Sequence, residues 1–302
     1  HGEQSIYALL ETFTRERIGV PYRPVIADVA DPVAMESVFR IHAPGLVFHA
    51  AAHKHVPLME MNPRESMRVN AGGTLTVARL AGRYGAEKMV LISTDKAVNP
   101  TSVMGASKRV AEMVLHEVGR EYAKTAFMAV RFGNVLGSRG SVIPKFEDQI
   151  SSGLPVTVTH PEMRRYFMLI PEAVNLVLQS AALGTGGELF VLDMGDPVRI
   201  VDMAEMLIRL HGYEPYRDVP IVFTGIRRGE KLFEELFYDP SRVQTTAHEK
   251  IFVSNLAIRS SEPGSVTEKV EGIVSMEDGD ILRVMESLVP EYTPSAPVNG
   301  AK

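Results

Sequence analysis

A doubly wound parallel sheet, covered by helices on both faces, is the fold class that three features of the sequence predict. Strand-length apolar runs, such as Leu46-Val47-Phe48 and Met89-Val90-Leu91-Ile92, do not alternate with polar residues, as expected of strands buried on both faces. Helix-length segments separate these runs, the order of an α/β protein. Small and polar residues follow each run: Ala50-Ala51-Ala52, Ser93-Thr94-Asp95-Lys96 and Gly133-Asn134-Val135. In such a sheet the strand carboxyl ends are where a ligand binds.

The elements follow in order. Residues 3–17 read as a polar helix with Ile6, Leu9, Leu10 and Phe13 on one face. Residues 24–27 are expected as a short strand. Asp31-Pro32 caps a helix through about Ile41, with Pro at its first turn. A strand over 45–50 precedes a long helix that starts at Asn62-Pro63 and ends before Gly85. Strands over 88–93 and 126–132 flank a helix over 104–122. Beyond Gly133 the pattern loosens: helix over 142–150, extended chain over 155–159, helix over 171–183, strand over 188–193, helix over 200–210, strand over 219–223 and helix over 230–237. Residues 1–150 read as the main sheet domain. Residues 151–289 read as a smaller substrate-binding region, some of whose strands rejoin the main sheet. Residues 290–302, rich in Pro, Ser, Asn and Gly, read as a disordered tail.

Composition narrows the function. The 302 residues are 45% hydrophobic and 23% charged, as in ordinary globular proteins, with a net charge of −5. A nucleic-acid partner needs clustered positive charge and is not expected. The chain has no cysteine, which excludes disulfides, thiolate metal sites and cysteine nucleophiles. No run approaches the ~18 apolar residues needed to span a bilayer. A dinucleotide-binding sheet normally opens with a strand and G-x-G-x-x-G, whose following helix receives the pyrophosphate. That motif is missing here. In the usual strand order the missing strands are central, so sheet edges beside exposed core are expected, along with a natural protein that continues upstream.

The most specific segment is Ser93-Thr94-Asp95-Lys96, followed by Met104-Gly105-Ala106-Ser107-Lys108. Met104 and Lys108 are four apart, on one helical face. With His49-Ala50-Ala51-Ala52-His53-Lys54-His55 and Arg131-Phe132-Gly133-Asn134-Val135-Leu136-Gly137-Ser138-Arg139-Gly140-Ser141, it resembles the extended short-chain dehydrogenase/reductase superfamily. Within it, the chain is similar to the nucleotide-sugar 4,6-dehydratases of bacterial polysaccharide synthesis. The resemblance runs from residue 1 to about residue 255.

That resemblance implies a Rossmann-like fold binding NAD, with NADP the other option, and a lyase that removes water from a UDP-N-acetylhexosamine with retained configuration. It implies Asp95 as acid, Lys96 as base, Thr94 on the sugar O4, and Lys108 on the cofactor ribose. Superfamily members usually carry Tyr at the position of Met104, whose thioether does not titrate. A branch of longer, often membrane-anchored dehydratases shares Met there. The resemblance further implies Asp28, Val29, Ala50, Ala51, Ala52 and Ser93 at the cofactor. It places Lys54, Asn134, Val135, Arg139, Arg165, Arg227 and Glu230 at the substrate. Asn70 would bend its helix and hold a water. It implies a homo-oligomer and a cytoplasmic location, with a membrane anchor upstream of this segment a further option.

Each residue has a plainer role to set beside the chemical one. Met104 and Lys108 alone suit a core residue and a surface lysine, Asp28 and Asp31 suit a helix approach, and any one arginine suits solvent. His49, His53 and His55 invite a metal, but no carboxylate joins them at a recurring ligand spacing, so no metal is expected. Two alternatives to dehydration stand: a nucleotide-sugar epimerase or reductase of the same superfamily, and a non-catalytic sugar-nucleotide-binding module.

Overall fold

The computed structural model describes residues 2–138, 140–238, 243–255 and 265–294. The chain opens with α1 (Glu3–Arg15), α2 (Pro32–His42), β1 (Leu46–His49) and the short α3 (Val56–Glu60). Helices α4 (Pro63–Met67) and α5 (Gly73–Arg83) are joined without a break by a π turn, Arg68–Gly72, centred on Asn70. There follow β2 (Lys88–Ile92), a 3₁₀ turn (Asp95–Ala97), α6 (Val103–Glu121), β3 (Ala126–Arg131) and β4 (Asn134–Val135). The second half contains α7 (Val142–Ser151), β5 (Val156–Val158), β6 (Arg164–Arg165), β7 (Phe167–Met168), α8 (Ile170–Leu183) and β8 (Glu188–Leu192). It continues with β9 (Val198–Arg199), α9 (Ile200–Leu210), β10 (Ile221–Phe223), β11 (Val243–Thr245), β12 (Ile251–Asn255), α10 (Ser265–Gly272) and α11 (Asp278–Leu288).

The main sheet has the order β1-β2-β3-β8-β12-β11. β1, β2, β3 and β8 are parallel, and β12 and β11 close the far edge antiparallel. Successive residues of the parallel strands face opposite cores. Met89, Leu91, Phe127 and Ala129 join α5 and α6 on one side, whereas Val90, Met128, Val130 and Phe190 join α8 on the other. This is why the runs do not alternate. A third core, built from α7, α9, β5 and β10, forms a separate lobe. The main sheet therefore draws β8, β12 and β11 from beyond residue 150.

Three features differ from the sequence expectations. Residues 24–27 are irregular, because no strand among the described residues lies beside them to complete a ladder. β1 is instead the sheet edge, with Leu46 55% and Phe48 42% exposed. Residues 230–237 form no helix: the Lys231 and Leu232 carbonyls accept from Arg165 and from the Arg164 amide rather than from the next turn. Finally, residues 265–289, expected in the substrate-binding region, pack with the core of the main sheet. α10 and α11 pack on the face of α6, with Val266, Val270, Ile281, Met285 and Tyr292 in its core. The Glu117 carboxylate accepts from the Val266 and Thr267 amides at the start of α10, which satisfies donors a helix start leaves open. Residues 290–294 of the expected tail are thus packed, and 295–302 lie outside the described residues. No helix among the described residues is long and apolar enough to cross a membrane.

Candidate active site

The parallel register brings the ends of β1, β2 and β3 side by side. The chain leaving β2 is pinned to its neighbour, the Ser93 amide donating to the Val130 carbonyl and the Asp95 amide to that of Phe132. Thr94 then caps the 3₁₀ turn through its hydroxyl. The turn is covered by the first turn of α6, where a Cβ on Gly105 would lie 2.2 Å from the Lys96 carbonyl oxygen. Only glycine permits that approach.

Asp95 is fully buried. Its Oδ1 accepts from the Thr94 hydroxyl at 2.8 Å and from Lys96 Nζ at 3.0 Å, while its Oδ2 has no partner. Lys96 Nζ also donates to Asn134 Oδ1 at 3.2 Å. Burial pulls the Lys96 ammonium toward losing its proton, but Asp95 and Glu234 outweigh that, and its pKa rises above the usual value. Lys96 therefore keeps its proton, facing Asp95 Oδ1. The structure thus joins Thr94, Asp95, Lys96 and Asn134, which come from two strand ends. Val135 follows on β4, beside β7.

Met104 and Lys108 lie on α6, 3% and 5% exposed. Lys108 Nζ donates to the Ile92 carbonyl at the end of β2, at 2.7 Å. Burial lowers its pKa to about 8, against a smaller opposing effect of Glu112. Ser93 Oγ donates inward to Glu112 at 2.6 Å. Glu112 in turn pairs with Arg131 and Arg109, and both guanidinium groups stack on the ring of Tyr238. The Tyr238 hydroxyl donates to the Ala97 carbonyl at 2.7 Å, so a residue of the second half fastens the Asp95–Ala97 turn.

A cleft of about 390 Å³ opens beside β1, lined by Ser5, Asp28, Val29, Ala50, Ala51, Ala52, His53 and Val69. Asp28 accepts from the Ala30 amide and from Arg68. Burial raises the pKa of its carboxyl, but these contacts prevail and hold it below the usual range. Alanine methyls leave room at the strand end and an acid lines the cleft, while the Lys108 ammonium lies at the end of the neighbouring strand β2. These residues fit the adenosine and ribose ends of a nicotinamide dinucleotide. Asn70 is wholly engaged: it accepts from the His53 amide and donates to the His53 carbonyl and to Ser107. The three histidines turn to separate partners, His49 to Thr74, His53 to Glu65 and His55 to the Leu58 amide.

The residues expected at the substrate divide. Lys54 Nζ reaches Ser138 Oγ at 3.4 Å, and Arg139 lies outside the described residues. Glu230 accepts from the Arg227 amide, closing the 227–230 turn and leaving the Arg227 side chain exposed. Arg228 pairs with Glu60, whose other oxygen accepts from the Val103 amide at the start of α6. Arg165, expected on a diphosphate, is 9% exposed and donates to the Arg164, Leu232 and Lys231 carbonyls. These bonds tie the guanidinium to the 231–232 main chain. Sequence reasoning missed Glu234 and Tyr238. Glu234 had a signal: an acid amid Leu232, Phe233, Leu236 and Phe237, just after the Arg227–Lys231 motif.

Known proteins agree with this architecture. A family described as "Polysaccharide biosynthesis protein" matches residues 1–256. The capsular polysaccharide biosynthesis protein CapD of Staphylococcus aureus is 56% identical over 253 residues, 83% of this chain and 42% of that protein. The chain thus spans less than half of that relative's length. Among solved structures, Pen from Bacillus thuringiensis superimposes with a TM-score of 0.75 at 30% identity, over 92% of this chain and 88% of that one. DesIV of Streptomyces venezuelae, a dTDP-glucose 4,6-dehydratase solved with NAD, shares the fold with a TM-score of 0.67 at 20% identity, over 76% of this chain and 74% of that one.

Proposed function

The chain belongs to the family of polysaccharide biosynthesis proteins, and we propose that it dehydrates a UDP-N-acetylhexosamine, UDP-N-acetylglucosamine first of all, to the 4-keto-6-deoxy sugar. The observation that carries this reading is the pairing of buried Asp95 with half-buried Lys96 at the end of β2. Elimination across C5 and C6 needs a base for the C5 proton and an acid for the departing hydroxyl, and two such groups in one desolvated pocket supply both.

A bound nicotinamide dinucleotide supplies reversible removal of hydride from C4, which acidifies C5. The chain does the rest. One proton crossing the 3.0 Å hydrogen bond from Lys96 to Asp95 turns the ion pair into an amine and a carboxylic acid. Lys96 then takes the C5 proton while Asp95 gives its proton to the leaving oxygen, and the pair returns to ammonium and carboxylate. Thr94, bonded to Asp95, is placed to hold O4. Lys108 and Asp28 orient the cofactor. Arg227, with Lys54, meets the diphosphate. The 1–150 segment serves the cofactor, and the α7–α9 lobe serves the nucleotide.

Mass spectrometry of the intact protein with NAD and UDP-N-acetylglucosamine tests the reading. Loss of one water is expected. An isobaric product would instead mark an epimerase, and an unchanged sugar nucleotide a binding module.

A further inference from the structure

The proposed elimination leaves one proton without a holder. Oxidation at C4 releases the O4 proton as hydride departs. Asp95 is by then carrying the proton it must give to the 6-hydroxyl, and Lys96 must stay neutral to accept the one from C5. Met104, at the superfamily's usual proton-accepting position, cannot take it. Two sites cannot hold two protons and still offer a base.

A third ionisable group lies beside Arg165, whose neighbour Tyr166 accepts from the amide of Asn134, the residue that Lys96 holds. Glu234 is 8% exposed. Its Oε1 lies 3.8 Å from Arg165 Nη2, and its Oε2 has no hydrogen-bond partner among the described residues. That leaves two buried carboxylate oxygens unsatisfied in this region, Asp95 Oδ2 and Glu234 Oε2. A buried acceptor without a donor is costly, and a proton or a ligand hydroxyl would satisfy it. The charges facing Glu234 are Lys96 and Asp95 from the turn after β2, Arg165 from β6 and Lys231 from its own segment. Burial and Asp95 raise its affinity for a proton, against the three cations. Its carboxylate acts reciprocally on Lys96.

We propose that Glu234 is the third proton-holding group of this site, a positioning residue that acts through Lys96 and lodges the proton released from O4 until C5 is reprotonated. The proposal rests on the dehydratase reading. The protons then balance. The O4 proton reaches the cluster by way of Thr94, so the cluster holds two protons, on Asp95 and Glu234, with Lys96 neutral. The C5 proton enters at Lys96 as the Asp95 proton leaves with water. The cluster returns one proton to C5 when hydride arrives at C6, and the remaining one restores the resting ammonium.

Glu234→Gln keeps the shape and cannot hold the proton. In the intact protein, turnover at pH 7 should fall by roughly 10²-fold, the low end of the cost of lost proton transfer, with the KM for UDP-N-acetylglucosamine within about twofold. The loss should shrink as pH rises, since solvent must now take the proton, and Glu234→Asp should recover part of the rate. An equal loss at every pH, or none, would overturn the proposal. A second readout needs no turnover. Trace acetylation of Lys96 across pH, read by mass spectrometry, should show its midpoint about one unit lower in Glu234→Gln, because a counter-charge is gone. An unmoved midpoint would also overturn the proposal. If the wild type removes no water while the midpoint still moves, the dehydratase reading fails and takes the proton-holding role with it, although the coupling to Lys96 stands.

Discussion

The turn after β2 and the cleft beside β1 sit at neighbouring strand ends yet are built differently. The turn is enclosed. Asp95 is fully buried, Tyr238 and Lys231 hold the Ala97 and Val98 carbonyls from the second half, and Gly105 lets α6 close over it. The cleft is open, walled by alanines, and bounded by α1, which buries none of its residues. The contrast teaches where precision resides. Bond-making groups need fixed positions and low dielectric, and both halves of the chain supply them. The cleft offers space, one carboxylate and little rigidity, enough to hold a ligand end that does not react.

Changes in the turn should therefore act on rate, and changes at the cleft on affinity. The largest effect expected is that of Lys96→Ala, which should lower turnover by ~10²–10⁴ with UDP binding nearly intact. Steady-state kinetics beside UDP titration checks this, and a variant keeping a third of wild-type turnover would remove Lys96 from the mechanism.

Next comes an acid sensitivity centred on His49, at the end of β1. Its ring is buried and held to about 3 by burial first and Lys108 second, against an ordinary 6.5. The unfolded chain takes up the proton below 6.5 while the folded one does not. Stability should then fall by up to ~1.4 kcal/mol per pH unit between 6.5 and about 3. Urea unfolding at pH 7 and pH 5 should show the loss, and His49→Gln, which can still donate to Thr74, should flatten it.

Asp28→Asn should weaken NAD binding by about five- to tenfold, because a charge-assisted hydrogen bond becomes a neutral one, with turnover at saturating NAD unchanged. A collapse in turnover would erase the distinction between turn and cleft. Met104→Tyr should have the smallest effect, no gain above about twofold in dehydration. Met104 is 3% exposed, and a hydroxyl there must find a partner or incur about 1–3 kcal/mol of desolvation. A large gain would mean that the pocket still awaits the phenol.

Much of this was legible locally. The β2–α6 unit reads directly because its apolar run and Met104/Lys108 spacing are short-range signals; sequence reasoning missed Ser102, which caps α6 at the Gly105 amide. The π turn at Asn70 matches the bend expected there. The failures share one cause. Residues 24–27 have strand propensity, but a strand needs a neighbour to complete its hydrogen bonds, and none of the described strands adjoins them. Residues 230–237 have helical composition, but Arg165 and Arg164 capture their carbonyls.

The sequence by itself determined the parallel strands β1, β2, β3 and β8 and the cluster of polar residues at their ends, because burial on two faces is written in neighbouring residues. Tertiary structure alone decided the fate of the arginines and the acids. Arg165 and Arg227 look alike as letters, yet one is walled in by carbonyls and the other faces solvent. Glu234 and Glu235 are adjacent, yet Glu234 is buried beside Arg165 while Glu235 pairs with Lys231 at the surface. The physical reason is that a charge takes its role from its partners and its dielectric surroundings, and residues distant in sequence supply both.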